Sequence, residues 1–402
     1  MSICEGTVSI LDAGCVVYSR IWCIFELFKS VMSGNSNYEF DVYTEIDGDR
    51  RAVGINHGFI PSDMGKSHLK KYRESHFPLD RILQATNVDV KKAQASVESD
   101  RKFILNTITG RSSDVELIDN HTKYDELNNI LRGIFVLPSL ERIIKERDAD
   151  TITRCLDIVK ASNAKIIDLY LYDCSKFNDS ILIKLADSLP PTLTDFTLMS
   201  KGSEVTVNRC NACLGKIFGS PKLVRLDLSC NNIDDDGAKL IADTLKVNHT
   251  LEKLYFSSNN IGVDGAKYIA DALKVNDSLK KLDLSSNNIG AGGAKQIADA
   301  LIVNYSLESL NLHETTICDD GAKAIADALK VNCSLKTLDV SFNNIYDDGA
   351  KHIAHTFKVN HHLKELNLRE NKISDDGKDY LTNIEQELDC ANRDVNMWWE
   401  RY

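Results

Sequence analysis

The stretch LVRLDLSCNNIDDDGAKLIADTLKVNHT (223–250) is followed directly by a second version of itself, LEKLYFSSNNIGVDGAKYIADALKVNDS (251–278). The same 28-residue unit starts again at Leu279, Leu307, Leu335 and Leu363. Six consecutive copies indicate a repeat architecture, in which each unit packs mainly against its two neighbours.

Each copy has the pattern of a short strand followed by a helix. The first part reads L-x-x-L-x-L/F/V-x-x-N/T, which is typical of a strand and a turn. The second part places Ala238, Ile241, Ala242 and Leu245 at helical spacing, which predicts one apolar helix face. Because one unit buries too little apolar surface to offset the entropy of ordering its residues, we expect stacked units with a parallel sheet and helices behind it.

These units resemble the ribonuclease-inhibitor class of leucine-rich repeats, and especially the repeats of NOD-like receptors, where phrases such as IADALKVN recur. The regular part covers residues 223–390, and two degenerate units around Leu169 and Phe196 extend the prediction back to residue 165. The resemblance implies an α/β fold: a curved solenoid with parallel strands inside and helices outside, whose concave sheet binds another protein. The G-x-x-x-x-G-K-[ST] loop of a nucleotide-driven receptor does not occur in the sequence.

Two positions at the turn and helix start carry predictions about local structure. An Asp precedes the recurrent Gly in five copies, and its side chain is expected to cap the helix. These residues are Asp236, Asp264, Asp320, Asp348 and Asp376. The turn Asn of the other copies is replaced by Thr315 in the fourth copy, and Thr has one donor fewer, so we predict a local shift or a bound water there.

Strand positions that point outward vary between copies, whereas the apolar positions do not. The early copies carry mostly small hydroxyl groups there, and the later copies carry large or charged groups. Tyr and Arg are the residue types that dominate interface energetics. The predicted partner-binding residues are Tyr255, His313, Glu314, Phe342, Arg369 and Glu370. The alternative is random variation on a solvated face.

The first 164 residues have a different organisation. Residues 19–32 have the apolar spacing of a helix, YEFDVYTEI (38–46) has that of a strand, and VSIL (8–11) or GCVVY (14–18) could form one more. A helix is predicted over about 90–107 and a short strand over 111–118. Three further helices are expected in KYDELNNILRGI (123–134), LERIIKER (140–147) and ADTITRCLDIVKAS (149–162).

The segment SRIWCIFEL (19–27) resembles the W-C-x-x-E-L box of Toll/interleukin-receptor (TIR) domains, in an arrangement also found in algal and oomycete repeat proteins. In NAD-cleaving members the Glu of this box is the catalytic carboxylate, and it corresponds to Glu26 here. A TIR domain places several strands and helices before the box, and only eighteen residues precede Ser19. We therefore expect a partial module in which Glu26 has no nucleotide pocket, and we predict no catalytic residues.

The composition of the chain limits the classes of partner that we expect it to bind. The formal net charge of −11 disfavours a nucleic-acid partner, and no run of apolar residues is long enough for a membrane span. The eleven cysteines are scattered, which suggests reduced thiols in a cytoplasmic protein, with Cys210 and Cys213 in a helix rather than at a zinc site. No cofactor or metal is predicted, and the oligomeric state is not determined.

The predicted domains are a partial TIR-like α/β module (1–110), a helical connector (111–164), degenerate repeats (165–222), six regular repeats (223–390) and a C-terminal cap or tail (391–402). The favoured function is a non-enzymatic interaction scaffold or sensor that binds a protein partner on its concave face. A TIR-like NAD-cleaving enzyme with a repeat sensor is the alternative. A small-GTPase regulator, suggested by fold analogy with the Ran GTPase activator, ranks third.

Overall fold

The computed structural model describes residues 6–11, 39–46, 49–54 and 78–399, apart from 114, 119, 203–210 and 391–395. Two compact units are present, Met1–Ala164 and Lys165–Tyr402. Within the described ranges, no helix combines the length and the apolar character that a membrane crossing requires.

The first unit begins with three strands: β1 (Gly6–Leu11), β2 (Glu39–Ile46) and β3 (Asp49–Gly54). β1 pairs with β2 in parallel, and β2 pairs with β3 antiparallel. The strands predicted from VSIL and from YEFDVYTEI are thereby confirmed. GCVVY, the helix predicted over 19–32 and Glu26 lie outside the described residues.

Five helices complete the described part of this unit. They are α1 (Leu79–Ala85), α2 (Glu98–Thr109), α3 (Thr122–Val136), α4 (Leu140–Glu146) and α5 (Ala149–Ala161). The three helices predicted between residues 123 and 162 are confirmed. Among residues 111–113 and 115–118 no strand is present, so the strand prediction there is wrong.

The helix predicted from residue 90 begins only at Glu98, after one 3-10 turn over Val90–Lys92. Side chains from other elements bind the backbone of this segment. Arg132 donates to Val88 O at 2.8 Å, and Asn128 Oδ1 accepts from Val90 N at 2.8 Å. Because these backbone groups are already paired, the chain gains little by continuing into a helix.

The second unit contains nine described strands in one parallel sheet, ordered as in the sequence. The strands are β4 (Ile166–Tyr170), β5 (Asp195–Met199), β6 (Arg225–Asp227), β7 (Lys253–Tyr255), β8 (Lys281–Asp283), β9 (Ser309–Asn311), β10 (Thr337–Asp339), β11 (Glu365–Asn367) and β12 (Asn396–Trp398). From β6 to β11, each strand pairs with the equivalent residues of the next copy, so the register follows the 28-residue period.

One helix connects each strand to the next. The helices are α6 (Asp179–Asp187), α7 (Asn211–Phe218), α8 (Asp235–Leu245), α9 (Val263–Leu273), α10 (Gly290–Leu301), α11 (Cys318–Leu329), α12 (Asp347–Thr356) and α13 (Asp375–Cys390). The core lies between sheet and helices, where Leu282, Ile297 and Leu301 are fully buried, like their equivalents in neighbouring copies. Alternation in the strand and a 3.6-residue period in the helix direct both apolar faces into this layer.

The recurrent Gly of each copy allows neighbouring helices to approach closely. A methyl group at Gly321 would lie 2.9 Å from Ala294 Cβ and 2.9 Å from Ile317 Cβ. At Gly265 it would lie 2.5 Å from an oxygen of Asp235. A Cβ atom does not approach a non-bonded heavy atom this closely, so the helix packing of this solenoid requires glycine at these positions.

The helix caps differ from the prediction. Asp236, Asp264, Asp320, Asp348 and Asp376 lie inside the first helical turn and cap nothing among the described residues. The cap of α8 is Asp234, whose side chain accepts from Gly237 N at 3.0 Å, and Asp235 caps the helix of the next copy. Asp235 Oδ1 accepts from Gly262 N at 2.6 Å and from Gly265 N at 2.9 Å, across the junction between α8 and α9. The prediction failed because a linear sequence does not show that the orphan amides of one helix face the carboxylate of another.

Asp319 and Asp347 make equivalent contacts with the following copies. The side-chain and backbone hydrogen bonds from Ser374 lower the pKa of Asp347 below its usual value of 3.8. The folded state therefore favours the ionised carboxylate. This stabilisation is present at neutral pH and is lost as the pH falls through the lowered pKa.

We expect Asp235→Ala to destabilise the protein by about 1–2 kcal/mol, because two amides at the start of α9 lose their acceptor. Asp236→Ala is the matched control, since it removes an exposed carboxylate one residue away and should change stability by only a few tenths of a kcal/mol. Urea denaturation of both variants measures the difference. Equal losses would mean that the cap does not cross the repeat junction.

The C-terminal tail adds a strand at one edge of the sheet. β12 pairs with β11 in parallel, Leu368 N donates to Trp398 O at 2.6 Å, and Met397 is buried. The tail residue Trp398 thus lies against the last repeat. β12 therefore covers β11 and is itself the outer strand of the described sheet.

One cysteine contradicts the expectation that all thiols are reduced. Cys213, in α7, is disulfide-bonded. Among the described residues, Cys155, Cys174, Cys230, Cys318 and Cys333 are free. Burial raises the pKa of Cys155 to about 11, so this thiol is protonated and unreactive at neutral pH.

Candidate functional site

Four positions in each regular copy lie on the outward side of the sheet. The sequence identified three of them and missed the first, which precedes the buried Leu of the strand. This missed set is Arg225, Lys253, Lys281, Ser309, Thr337 and Glu365. Its residues alternate with Leu226 and its equivalents, so strand periodicity could have revealed it. This first outward position is basic in β6–β8 and neutral or acidic in β9–β11. The second outward position, which follows the buried Leu, carries mixed residue types and does not follow this trend.

The fourth outward position has an unusual backbone. Its members are Cys230, Ser258, Ser286, Glu314, Phe342 and Glu370, and all have φ between 53° and 58°. Non-glycine residues seldom adopt this left-handed conformation, because the Cβ atom crowds the following carbonyl. The ladder of backbone bonds nevertheless continues, with Glu314 N donating to Ser341 O at 3.0 Å and Phe342 N to Arg369 O at 3.0 Å. Side chains at this position therefore lie about one strand spacing, ~5 Å, from their neighbours.

Buried asparagines hold the turn that follows. Asn287 Nδ2 donates to Phe256 O at 2.9 Å and to Leu284 O at 3.0 Å, while its Oδ1 accepts from Ile261 N at 3.0 Å. Equivalent bonds are made by Asn231, Asn259, Asn343 and Asn371. This ladder joins each copy to the one before it and fixes the backbone on which the outward side chains stand.

The turn at Thr315 keeps the backbone bonds of the other copies, with Thr315 N and Ile317 N both donating to Asn343 Oδ1. Thr315 Oγ1 donates to Leu312 O at 2.6 Å within its own copy, and Gly290 N donates to Thr315 O at 3.0 Å. The helices of the third and fourth copies begin one residue earlier than in the others, at Gly290 and Cys318, and both residues have positive φ. The irregular turn thus lies directly beside Glu314.

Three of the predicted partner-binding residues form one cluster. The rings of His313 and Phe342 meet edge to face, with centroids 5.0 Å apart, and His313 Nδ1 is 2.8 Å from Ser341 Oγ. Glu314 Oε2 accepts from Ser286 Oγ at 2.9 Å.

Arg369 and Glu370 lie just after the next strand, β11. The Arg369 guanidinium lies 5.9 Å from the centre of the Trp398 ring, on the tail strand. These two residues extend the cluster towards the end of the sheet. The tail contributes an aromatic surface there, which was not predicted from the sequence.

Tyr255 lies apart from this cluster. Its strand, β7, is separated from β9 by β8, so the distance is about two strand spacings, or ~10 Å. Arg225 and Lys281 lie 5.0 Å and 5.4 Å from the centre of its ring. Tyr255 therefore lies between two cationic side chains, and its strand is not adjacent to the strands of the other five predicted residues.

A shallow cleft of about 410 Å³ opens next to Glu314. Its lining residues are Asn259, Asn260, Ser286, Asn287, Asn288 and Glu314. The lining is polar and contains one carboxylate and no cation. Among the described residues, no group of three or more His, Cys, Asp or Glu side chains could hold a metal ion.

A family model described as leucine-rich repeat matches the six copies. The matched residues are 219–242, 247–270, 275–298, 303–326, 331–354 and 359–378. Together with the parallel sheet and one helix per copy, this match defines the class: the second unit is a curved leucine-rich-repeat solenoid, as its sequence predicted. Residues 219–378 thus match the leucine-rich-repeat family.

Three solved structures illustrate the range of similar proteins. Actin-binding site 2 of leiomodin-1 is 19% identical, covers 50% of this chain and 88% of its own, and has a TM-score of 0.29. The tropomodulin C-terminal domain of Caenorhabditis elegans is 12% identical, covers 44% and 91%, and has a TM-score of 0.30. An internalin from Listeria monocytogenes is 14% identical, covers 62% and 64%, and has a TM-score of 0.37. Comparison with curated protein sequences found no match.

Proposed function

We propose that this protein is a non-enzymatic interaction scaffold or sensor that binds a protein partner on the concave, strand-lined face of its repeats. The observation that carries this proposal is the distribution of variation between copies. The buried leucines equivalent to Leu226 are the same in all six copies, while the outward positions beside them differ from copy to copy. In the later copies these outward positions carry aromatic and charged residues, including Phe342 and Arg369, and aromatic residues and Arg are enriched at protein interfaces.

The proposed contact residues are Tyr255, His313, Glu314, Phe342, Arg369 and Glu370. Phe342 is 49% exposed, although burying a Phe side chain is worth about 1.5–3 kcal/mol. An exposed aromatic among charged groups is typical of a binding surface. We also propose that the repeats are of the ribonuclease-inhibitor or NOD-like type, that the protein is cytoplasmic and that it has no nucleic-acid partner.

Neither alternative function gains a specific observation. The NAD-cleaving hypothesis depends on Glu26, which lies outside the described residues, so it stays a prediction from the TIR resemblance. The small-GTPase regulator depends on fold analogy alone.

The proposal predicts that reversing charges on the concave face abolishes partner binding. We expect Glu314→Lys with Arg369→Glu to remove the specific partners found by proximity labelling, because like charges then oppose each other across the interface. The matched control exchanges a pair on the helix side, Lys295→Glu with Asp299→Lys, and leaves the net charge equally unchanged. A partner set that survives the first double variant, or that is lost in both, contradicts the assignment to the concave face.

A further inference from the structure

Glu314, Phe342 and Glu370 occupy the same position in three consecutive copies, and we call them the acidic-aromatic strip. The backbone bonds from Glu314 N and Phe342 N into the next copies place these residues on adjacent rungs of the sheet. The ring of Phe342 therefore has a carboxylate side chain on either side, each about one strand spacing away.

Nothing in the fold requires an aromatic residue at position 342. Equivalent positions hold Cys230, Ser258 and Ser286, and the left-handed backbone, with φ of 56° at Phe342, disfavours a bulky side chain. The ring is supported from the side, since His313 meets it edge to face and is itself within hydrogen-bonding distance of Ser341. The supported ring remains half exposed, so it presents a held aromatic surface to solvent.

The charges around the ring are mainly negative. Ser286 holds the exposed carboxylate of Glu314 at one side, and the polar cleft that contains Glu314 has no cation in its lining. The Arg369 guanidinium lies 5.9 Å from the centre of the Trp398 ring, on the tail strand. An aromatic face between carboxylates attracts a cation through the ring quadrupole and through direct charge pairing.

We propose that the acidic-aromatic strip receives an arginine or lysine side chain from the protein partner. The cationic group would lie over Phe342 and pair with Glu314. Arginine fits better than lysine, because its planar guanidinium can stack on a ring and form two hydrogen bonds with a carboxylate at the same time. This inference rests on the proposed function, and it adds the chemistry by which the partner is recognised.

The test selects binders from a displayed library of random peptides, with the full chain as the target. Peptides that compete with one another and lose binding to the Glu314→Lys, Arg369→Glu double variant are retained. We expect an Arg or Lys enriched at one fixed peptide position. Replacing that residue with citrulline, which keeps the shape and removes the charge, should weaken binding about tenfold or more in fluorescence anisotropy.

Variants of the protein then show where the cationic side chain of the peptide binds. Phe342→Ala and Glu314→Gln should each weaken the Arg peptide by about tenfold, and by much less for its citrulline form. Phe342→Tyr should retain binding because the ring is kept. Ser258→Ala changes the same position two copies before Glu314 and is the control, expected to leave affinity unchanged. Circular dichroism melting of each variant shows that the solenoid remains folded.

Two results separate this inference from the function on which it rests. Peptides that need the concave face but show no basic enrichment, or that ignore Phe342→Ala, would overturn the cation site and leave the proposed function standing. A selection that gives no binder sensitive to the concave-face double variant counts against both.

Discussion

Asn287→Ala is expected to lower the free energy of unfolding by about 2–6 kcal/mol, since it leaves two buried backbone groups without a partner at about 1–3 kcal/mol each. These groups are Leu284 O and Ile261 N, which belong to two neighbouring copies. Phe256 O also loses this bond and keeps its bond from Asn259. The loss should appear as a lower midpoint in urea denaturation.

The neighbouring residue provides the control for this experiment. Asn288 has the same side chain and is exposed, so Asn288→Ala should change stability by less than about 0.5 kcal/mol. The comparison separates the buried ladder from any general effect of removing an asparagine from this turn. If the two variants unfold at the same urea concentration, the ladder does not stabilise the junction between copies.

Gly321→Ala is the second change with a large expected effect, a loss of about 1–3 kcal/mol from overpacking. The new methyl group would lie 2.9 Å from both Ala294 Cβ and Ile317 Cβ, atoms that cannot rotate away. Helices α10 and α11 must therefore separate. Thermal melting measures the cost, and far-UV circular dichroism confirms that the helices still form.

Gly215→Ala is the control, and we expect it to change stability in the opposite direction. A methyl group there meets nothing within 4 Å, and Gly215 lies inside helix α7. Alanine in a helix interior is more favourable than glycine by about 0.5–1 kcal/mol. We expect Gly215→Ala to raise the melting temperature and Gly321→Ala to lower it. A destabilised Gly215→Ala, or an unchanged Gly321→Ala, would contradict the close helix approach.

The candidate site could be predicted only in part. Variation between copies identified His313, Glu314 and Phe342, because repeats provide their own comparison of structural and variable positions. The separation of Tyr255 from them, and the placement of Arg369 against Trp398, depend on the order of strands and on the course of the tail. The outward basic residues Arg225, Lys253 and Lys281 were missed, although strand periodicity encodes them.

The sequence alone determined the repeat length, the order of strand and helix and the buried leucines. Each depends on periodicity, which is a local property. Only the tertiary structure decided which Asp caps which helix, why Gly321 must be a glycine, and that the tail supplies the ninth described strand. These depend on distances between copies, because stacking brings together atoms about 28 residues apart.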